Sequence, residues 1–203
     1  MKVFRADQIK DIDLYTIKNE PISSLDLMER ASKVIFSRIV ELCYSDSKFV
    51  VFSGTGNNGG DGLAVARLLH NAGYSVRVIL VMFSDSLSSD CKVNFDRLVK
   101  IKKIQKTVIK HVSDLKIFKD EIIIDALFGS GLSRPLEKIA LETVRKINDS
   151  GCKIISIDLP SGLLCEDNSN NITHGIIRAN ETITIQFPKL SFFFSENSKY
   201  TGS

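Results

Sequence analysis

The chain has few cysteines, little net charge and no long apolar run, and each shortage excludes a class of protein. No hydrophobic stretch approaches the length of a membrane span, and the opening residues MKVFRADQIK lack the apolar segment of a secretory signal. A cytoplasmic protein with no membrane partner is expected. Cys43, Cys91, Cys152 and Cys165 are widely spaced with no C-x-x-C pair, so they fit neither a zinc site nor a disulfide framework and read as reduced thiols. The sequons opening at Asn148, Asn171 and Asn180 are therefore read as chance matches. A formal net charge of +3 is too small to point to nucleic acid. The Lys-rich run from Lys100 to Lys110 alternates with Ile and Val, as a solvated edge strand or helix face does. There is no internal repeat and no low-complexity tract, and Glu166–Asn171 reads as a polar surface loop.

What is present is 203 residues, 43% hydrophobic and 25% charged, enough for one sizeable α/β domain. Residues 6–19 and 23–43 predict two amphipathic helices. In the second, Leu27, Met28, Ala31, Val34, Ile35, Ile39 and Leu42 recur at helical spacing, and Ser23 with Asp26 fits a capping box after Pro21. That stripe reads as core packing, with part of it available as a subunit contact. From Phe49 onward the pattern predicts strands at 49–53, 75–83, 121–125, 153–158 and 181–187, with a weaker one near 106–110. Helices are expected at 62–72, 87–100 and 135–149. Such alternation implies a doubly wound, mostly parallel Rossmann-like sheet with helices on both faces, a three-layer α/β/α fold.

The most informative segment is Ser53-Gly54-Thr55-Gly56-Asn57-Asn58-Gly59-Gly60-Asp61-Gly62, between the apolar run Phe49–Phe52 and the helix to come. Five glycines in nine residues allow a tight turn and leave main-chain N–H groups open to a ligand, while Asn57, Asn58 and Asp61 add polar side chains at the helix mouth. Gly54, Gly56 and Gly59 formally spell G-x-G-x-x-G, so a dinucleotide dehydrogenase is a competing reading. Two features oppose it. Asp61 at the helix opening would repel a pyrophosphate, and the second strand meets no acidic residue before Asp85, late for a ribose-binding carboxylate.

Asp125 ends the run Ile122–Ile124, and Asp158 ends the run Ile154–Ile157. Both carboxylates are expected at carboxyl ends of buried parallel strands, the edge where open α/β sheets bind ligands. Capping of the following turn is the plainer alternative for each. Converging carboxylates repel, so a site with Asp61, Asp125 and Asp158 needs a cation or bound protons. With Asn58, Asp125 and Ser161 as hard oxygen donors and no soft ligand cluster, a hard cation is implied.

Three segments, GTGNNGGDG with LAVARLL behind it, DALFGSGL at Asp125–Leu132 and IDLPSG at Ile157–Gly162, closely resemble the YjeF N-terminal domain, whose enzymatic members are the NAD(P)HX epimerases. The resemblance runs from Ala6 to about Lys189. It implies an epimerase that interconverts the R and S forms of NADHX or NADPHX, cofactors hydrated at C6 of the nicotinamide ring, in nicotinamide nucleotide repair. It implies one potassium ion per subunit, held by Asn58, Asp125 and Ser161. Substrate contacts fall on Asn57, Asn58, Gly59, Gly60 and Asp61, on Gly129, Ser130, Gly131, Leu132, Ser133, Arg134 and Pro135, and on Asp158. The turn Gly129-Ser130-Gly131, which carries no carboxylate of its own, is the expected pyrophosphate seat. Asp158 is the expected catalytic group for proton transfer, and Lys189 matches a family lysine that stabilises the site charge.

The resemblance also implies a homodimer joined partly through the N-terminal helices. Many relatives are fused to an ADP- or ATP-dependent NAD(P)HX dehydratase domain, absent from this single domain over residues 1–203. The abrupt end at Tyr200–Ser203 reads as a cut inside a longer protein. Asn180, where many relatives have aspartate, and the Phe192–Phe194 cluster depart from the pattern but leave the three segments intact. The alternative within the same fold is a non-catalytic scaffold for ligand binding or dimerisation. A scaffold would be free to lose Asn57 or Asp158, and this chain keeps both.

Overall fold

A computed structural model describes residues 2–203; Met1 lies outside the described residues. Its centre is β1 (Lys48–Ser53), whose alternate residues split between two cores. Phe49 and Val51 enter one core and Val50 and Phe52 the other, all essentially inaccessible to solvent. A strand paired on both edges and covered on both faces requires such an unbroken apolar run. Around it lie β2 (Ser75–Val81), β3 (Gln105–Ile109), β4 (Glu121–Ala126), β5 (Ile154–Ile157) and β6 (Glu181–Ile183), all parallel, in the order β3-β2-β1-β4-β5-β6. This is the doubly wound order, and the expected fold class holds.

The chain moves outward from β1 to β3, then returns to place β4 beside β1 before continuing to β6. The crevice at the carboxyl ends of β1 and β4 is thus a topological switch point, where no crossover covers the edge and a ligand has room. Helices α2 (Ser24–Leu42), α3 (Asn57–Asn71) and α4 (Ser89–Val99) cover one face, with Ile35, Ile39, Leu63, Leu69 and Leu98 in its core. Helix α5 (Lys138–Asn148) covers the other with Ala140, Val144 and Ile147. Truncating a core residue such as Leu69, fully buried, to alanine should remove about 2–5 kcal/mol. No helix among the described residues is long and apolar enough to cross a membrane.

Helix α1 (Ala6–Asn19) precedes the alternating part. The Ser23 N-cap of α2 holds as expected: its hydroxyl accepts from the Asp26 N–H at 3.0 Å and also contacts the Asp26 carboxylate at 2.6 Å. The carbonyls of Tyr200, within the short helix α6 (Ser198–Thr201), and of Ser203 just after it accept from the Ala179 and Thr182 N–H groups at 2.9 and 3.2 Å. The Lys100–Lys110 run contains β3, the sheet's edge strand, where Gln105 and Val108 are exposed and Ile109 is buried. Phe192 packs into a small core with Leu159, Leu163 and Tyr200, whereas Phe193 and Phe194 are largely exposed.

Strands β2, β5 and β6 end before their expected limits, β2 at Val81 rather than 83; α5 starts at Lys138 rather than 135, and α3 starts early. Strand β6 stops at Ile183, and it could not reach 187 because the chain bends at Gln186 into a backbone geometry no strand allows. Strand β5 stops at Ile157 because Asp158 also has a positive φ. Helix α3 begins at Asn57, five residues before the expected start, because the glycines that suggested a loop fit inside its first two turns.

Candidate functional site

The glycine-rich segment turns within Gly54–Gly56, and α3 rises from the Gly56 N-cap with no side chain capping it. The first amides of α3 therefore lack intrahelical acceptors and face outward at the switch point. The glycines themselves serve packing. A Cβ on Gly59 would lie 2.1 Å from the Gly54 carbonyl oxygen, and one on Gly62 would lie 2.4 Å from the Ala126 Cβ. Gly54 presses as tightly on Leu127 of the neighbouring loop, and Gly60 backs onto Met28 of α2. Of the five glycines, Gly56 alone has open space around it. Four of the five glycines thus serve close packing of α3 and its loop against sheet, loop and helix, while the uncapped amides at the start of α3 remain available to a ligand.

Asp125, at the end of β4, is fully buried and fully partnered. Its Oδ1 accepts from Ser161 Oγ at 2.6 Å and the Leu127 N–H at 3.3 Å; its Oδ2 accepts from Ser156 Oγ at 2.8 Å and the Ser161 N–H at 2.9 Å. Sheet register supplies the Ser156 contact, since the two residues sit opposite each other across β4 and β5. Burial pushes the Asp125 carboxyl above the usual range, and the Ser161 and Ser156 bonds oppose that shift. Ser161 Oγ also accepts from the Phe128 N–H at 2.9 Å, tying this cluster to the Gly129 loop. Asn58 reaches the same loop: a Cβ on Gly129 would lie 3.1 Å from Asn58 Cγ and 2.7 Å from Asp158 Oδ2. The Asn58 amide nitrogen donates to the Ile157 carbonyl at 3.3 Å, while its Oδ1 is buried with no hydrogen-bond partner.

Asp158 and Lys189 form the second cluster. Lys189 is 1% exposed, and its Nζ lies 2.7 Å from Asp158 Oδ1, 2.8 Å from the Ile185 carbonyl and 3.0 Å from the Phe187 carbonyl, so all three protons are used. Asp158 Oδ2 accepts from the Ser130 N–H at 2.8 Å. That bond commits one amide of the turn expected to seat a pyrophosphate. Two unusual backbone turns frame the pair. The Leu159 N–H donates to the Ile157 carbonyl around Asp158 at φ 69°, and the Phe187 N–H donates to the Ile185 carbonyl around Gln186 at φ 61°. Positive-φ γ-turns are rare and strained, and strain persists only where surrounding contacts hold it.

Asp61 lies one turn inside α3 and is nearly inaccessible. Burial pushes its carboxyl well above the usual range, and the charges of Asp158 and Asp13 push it further. That shift favours the neutral carboxyl and so acts against the repulsion expected between Asp61 and an anionic ligand. Asp13, on α1, joins the same group: burial raises it, the Gln186 bond opposes the shift, and it feels both Asp158 and Lys189. The carboxyls that interact across the site are thus Asp13, Asp61 and Asp158 around Lys189, with Asp125 satisfied by serines beside them.

A family model described as "YjeF-related protein N-terminus" matches residues 24–191. The chain belongs to this family. It is 33% identical to an "NAD(P)H-hydrate epimerase" of Limosilactobacillus fermentum, over 97% of this chain and 91% of that protein. It is 36% identical to an enzyme of the same name from Lentilactobacillus buchneri, over 97% and 89%. A "Bifunctional NAD(P)H-hydrate repair enzyme Nnr" of Thermofilum pendens is 36% identical over the whole chain, which spans 38% of that longer protein. The fold matches the crystal structure of the yeast protein ynu0 (YNL200c) with a TM-score of 0.77 at 24% identity, covering 97% of this chain and 86% of that one.

Within this member of the family, the structure brings Asn58, Gly129, Ser130, Asp158 and Lys189 together at the switch point, with Asp125 and Ser161 one layer beneath. Ser133 and Arg134 are exposed, Leu132 and Pro135 half-buried, on the rim beyond Gly131. Asn57 opens α3 at its exposed end. Two clefts elsewhere, of about 280 and 210 Å3, share His174 and Arg178 and contain none of these residues. Sequence reasoning missed Asp13 and Gln186. A signal for Asp13 existed: Ile9, Ile12, Asp13, Thr16 and Ile17 form the inward stripe of α1, and an unneutralised carboxyl within such a stripe needs a partner.

Proposed function

We propose that this chain is an epimerase of hydrated NADH and NADPH, an isomerase of nicotinamide nucleotide repair. The observation that carries the reading is the buried Asp158–Lys189 pair, 2.7 Å apart beyond the carboxyl ends of β5 and β6, on the edge of the sheet that carries the switch point. The names of full-length relatives support the substrate. Inverting C6 requires the hydroxyl to take a proton and leave as water, and a planar ring cation to be held. A new water then adds from the other face and returns a proton. Each turnover takes up one proton and releases one. Asp158, with its charge matched by Lys189, stabilises the cation and exchanges a proton with the oxygen at C6. Asp61, whose carboxyl burial pushes well above the usual range, is a second carboxyl able to supply one. Such acid–base assistance is typically worth about 10²–10⁴ in rate. The open amides at the start of α3 suit the pyrophosphate, with the Gly129–Pro135 loop closing over it.

A potassium ion, one per subunit, fits the inner end of the site. Asn58 Oδ1 is a buried acceptor without a partner, and Asp125 and Ser161 offer further hard oxygens. Asn58, Asp125 and Ser161 would hold the ion, which when bound supplies fixed positive charge beside the carboxylates. Leu14, Tyr15 and Val34, which are 56%, 69% and 68% exposed on the two N-terminal helices, suit a homodimer contact. We further place the protein in the cytoplasm and, by analogy with the bifunctional relative, allow its fusion to a dehydratase domain.

The test is to add purified R epimer and follow its equilibration with S by chromatography. Equilibration much faster than in buffer is expected. A rate equal to buffer refutes the enzyme reading and leaves the scaffold; an absorbance change with NAD and a hydroxy acid would favour a dehydrogenase.

A further inference from the structure

The N-terminal segment grips the turn that holds Lys189, and it does so twice. The Gln186 side-chain amide donates to Asp13 Oδ1 of α1. The ring of Phe4 packs on Phe187 with centroids 4.5 Å apart. Between these contacts lies the strained γ-turn around Gln186, and its two flanking carbonyls, of Ile185 and Phe187, are the ones that receive the Lys189 ammonium. A relaxed backbone at Gln186 would swing those carbonyls away from one another. Lys189 would then lose the two bonds that aim its third proton at Asp158. Gln186 itself is exposed and packs against no core; its neighbours are held, Ile185 against the core and Phe187 against Phe4, so its own conformation is fixed through the side-chain bond to Asp13.

We propose that Asp13 is a positioning residue of the active site, acting through Gln186 to keep the 185–187 turn in the strained form that aims Lys189 at Asp158. Helix α1 is then part of the catalytic apparatus as well as a surface. Asp13 touches none of the reacting groups directly; it holds the side chain of the residue whose neighbours' carbonyls hold the lysine. The inference rests on the epimerase reading for its activity readout, while the clamp itself is a property of the folded chain.

The experiment compares Asp13→Ala, Asp13→Asn, Gln186→Ala and the double variant Asp13→Ala/Gln186→Ala. Loss of aim at the reacting centre should lower kcat by roughly ten- to hundredfold in Asp13→Ala and in Gln186→Ala, with KM nearly unchanged. Asn keeps an acceptor oxygen, so Asp13→Asn should retain most of the activity. Because the two residues act in series, the double variant should be no slower than the slower single one. Losses that multiply in the double variant, a rise in KM alone, or a fall in Tm with kcat unchanged would each overturn the proposal. Lys189 is also followed by side-chain 15N NMR, as a slowly exchanging ammonium signal that should vanish in Asp13→Ala and persist in Asp13→Asn. If the parent protein fails to epimerise, the activity reading falls, and the NMR signal still decides the clamp: an unchanged signal in Asp13→Ala refutes it.

Discussion

Replacing Lys189 by methionine tests the centre of this site, because the side chain's stem is kept and its charge is lost. In the parent, Lys189 Nζ meets Asp158 Oδ1 at 2.7 Å and two carbonyls at 2.8 and 3.0 Å, with the residue 1% exposed. The two carbonyls lose little, since Ile185 still accepts from the Phe187 N–H and Phe187 from Thr184 Oγ1. Asp158 loses its counter-charge and keeps only the Ser130 N–H. Leaving one member of a buried pair uncompensated costs about 3–5 kcal/mol. At this chain length each kcal/mol moves Tm by about 2–4 °C, so Lys189→Met should melt roughly 6–20 °C lower. Adding Asp158→Asn removes the stranded charge and should return much of that loss, while activity stays low in both variants. Urea unfolding of the parent, both single variants and the double one gives the cycle. A Lys189→Met protein within about 1 kcal/mol of the parent, or a double variant no more stable than Lys189→Met, would refute the reasoning.

Other consequences can be measured directly. Asp158→Asn preserves shape but removes the carboxylate that accepts and returns the proton, and should lower the epimerisation rate about 10²-fold or more with little change in substrate binding; Asp125→Asn should instead weaken ion binding and be partly rescued by high potassium. Near-full activity in the first variant, or no rescue in the second, would reverse these roles. Asp61 has a folded-state pKa raised by burial, so its contribution to stability is full below the ordinary carboxylate pKa and is lost as pH rises through the raised value. Asp61→Asn should therefore melt higher than the parent at pH 8 and gain little at pH 4; equal gains at both pH values would count against a raised pKa. Gly62→Ala drives a Cβ to 2.4 Å from the Ala126 Cβ and should destabilise the fold by about 1–3 kcal/mol, read by Tm. Light scattering at micromolar concentration should give twice the 22.6 kDa chain mass, and a monomeric mass would remove the dimer proposal.

The sheet was legible because burial on both faces forces apolar runs, and each strand-end aspartate stands where such a run stops, at Asp125 and Asp158. What lay beyond sequence reading depends on pairings far apart in the chain. Ser156 looks like one more strand residue until β4–β5 register places it opposite Asp125 and makes that carboxylate the centre of a closed hydrogen-bond set. A lone lysine after a strand is ordinarily exposed, yet Lys189 is buried because two carbonyls and a carboxylate converge on it. The glycine run misled about α3, because glycine's freedom in a turn and its lack of volume in a helix leave the same letter in the sequence.

The deepest gap is at Asp158 and Gln186. Positive φ is normally signalled by glycine or asparagine, and neither residue stands at these turns. At each position a side chain is needed that glycine lacks, a carboxylate for Lys189 in one case and an amide for Asp13 in the other. The strain is therefore tolerated for the sake of the side chain. Both turns lie at ends of neighbouring strands and are joined through the same lysine, so releasing either would loosen the other.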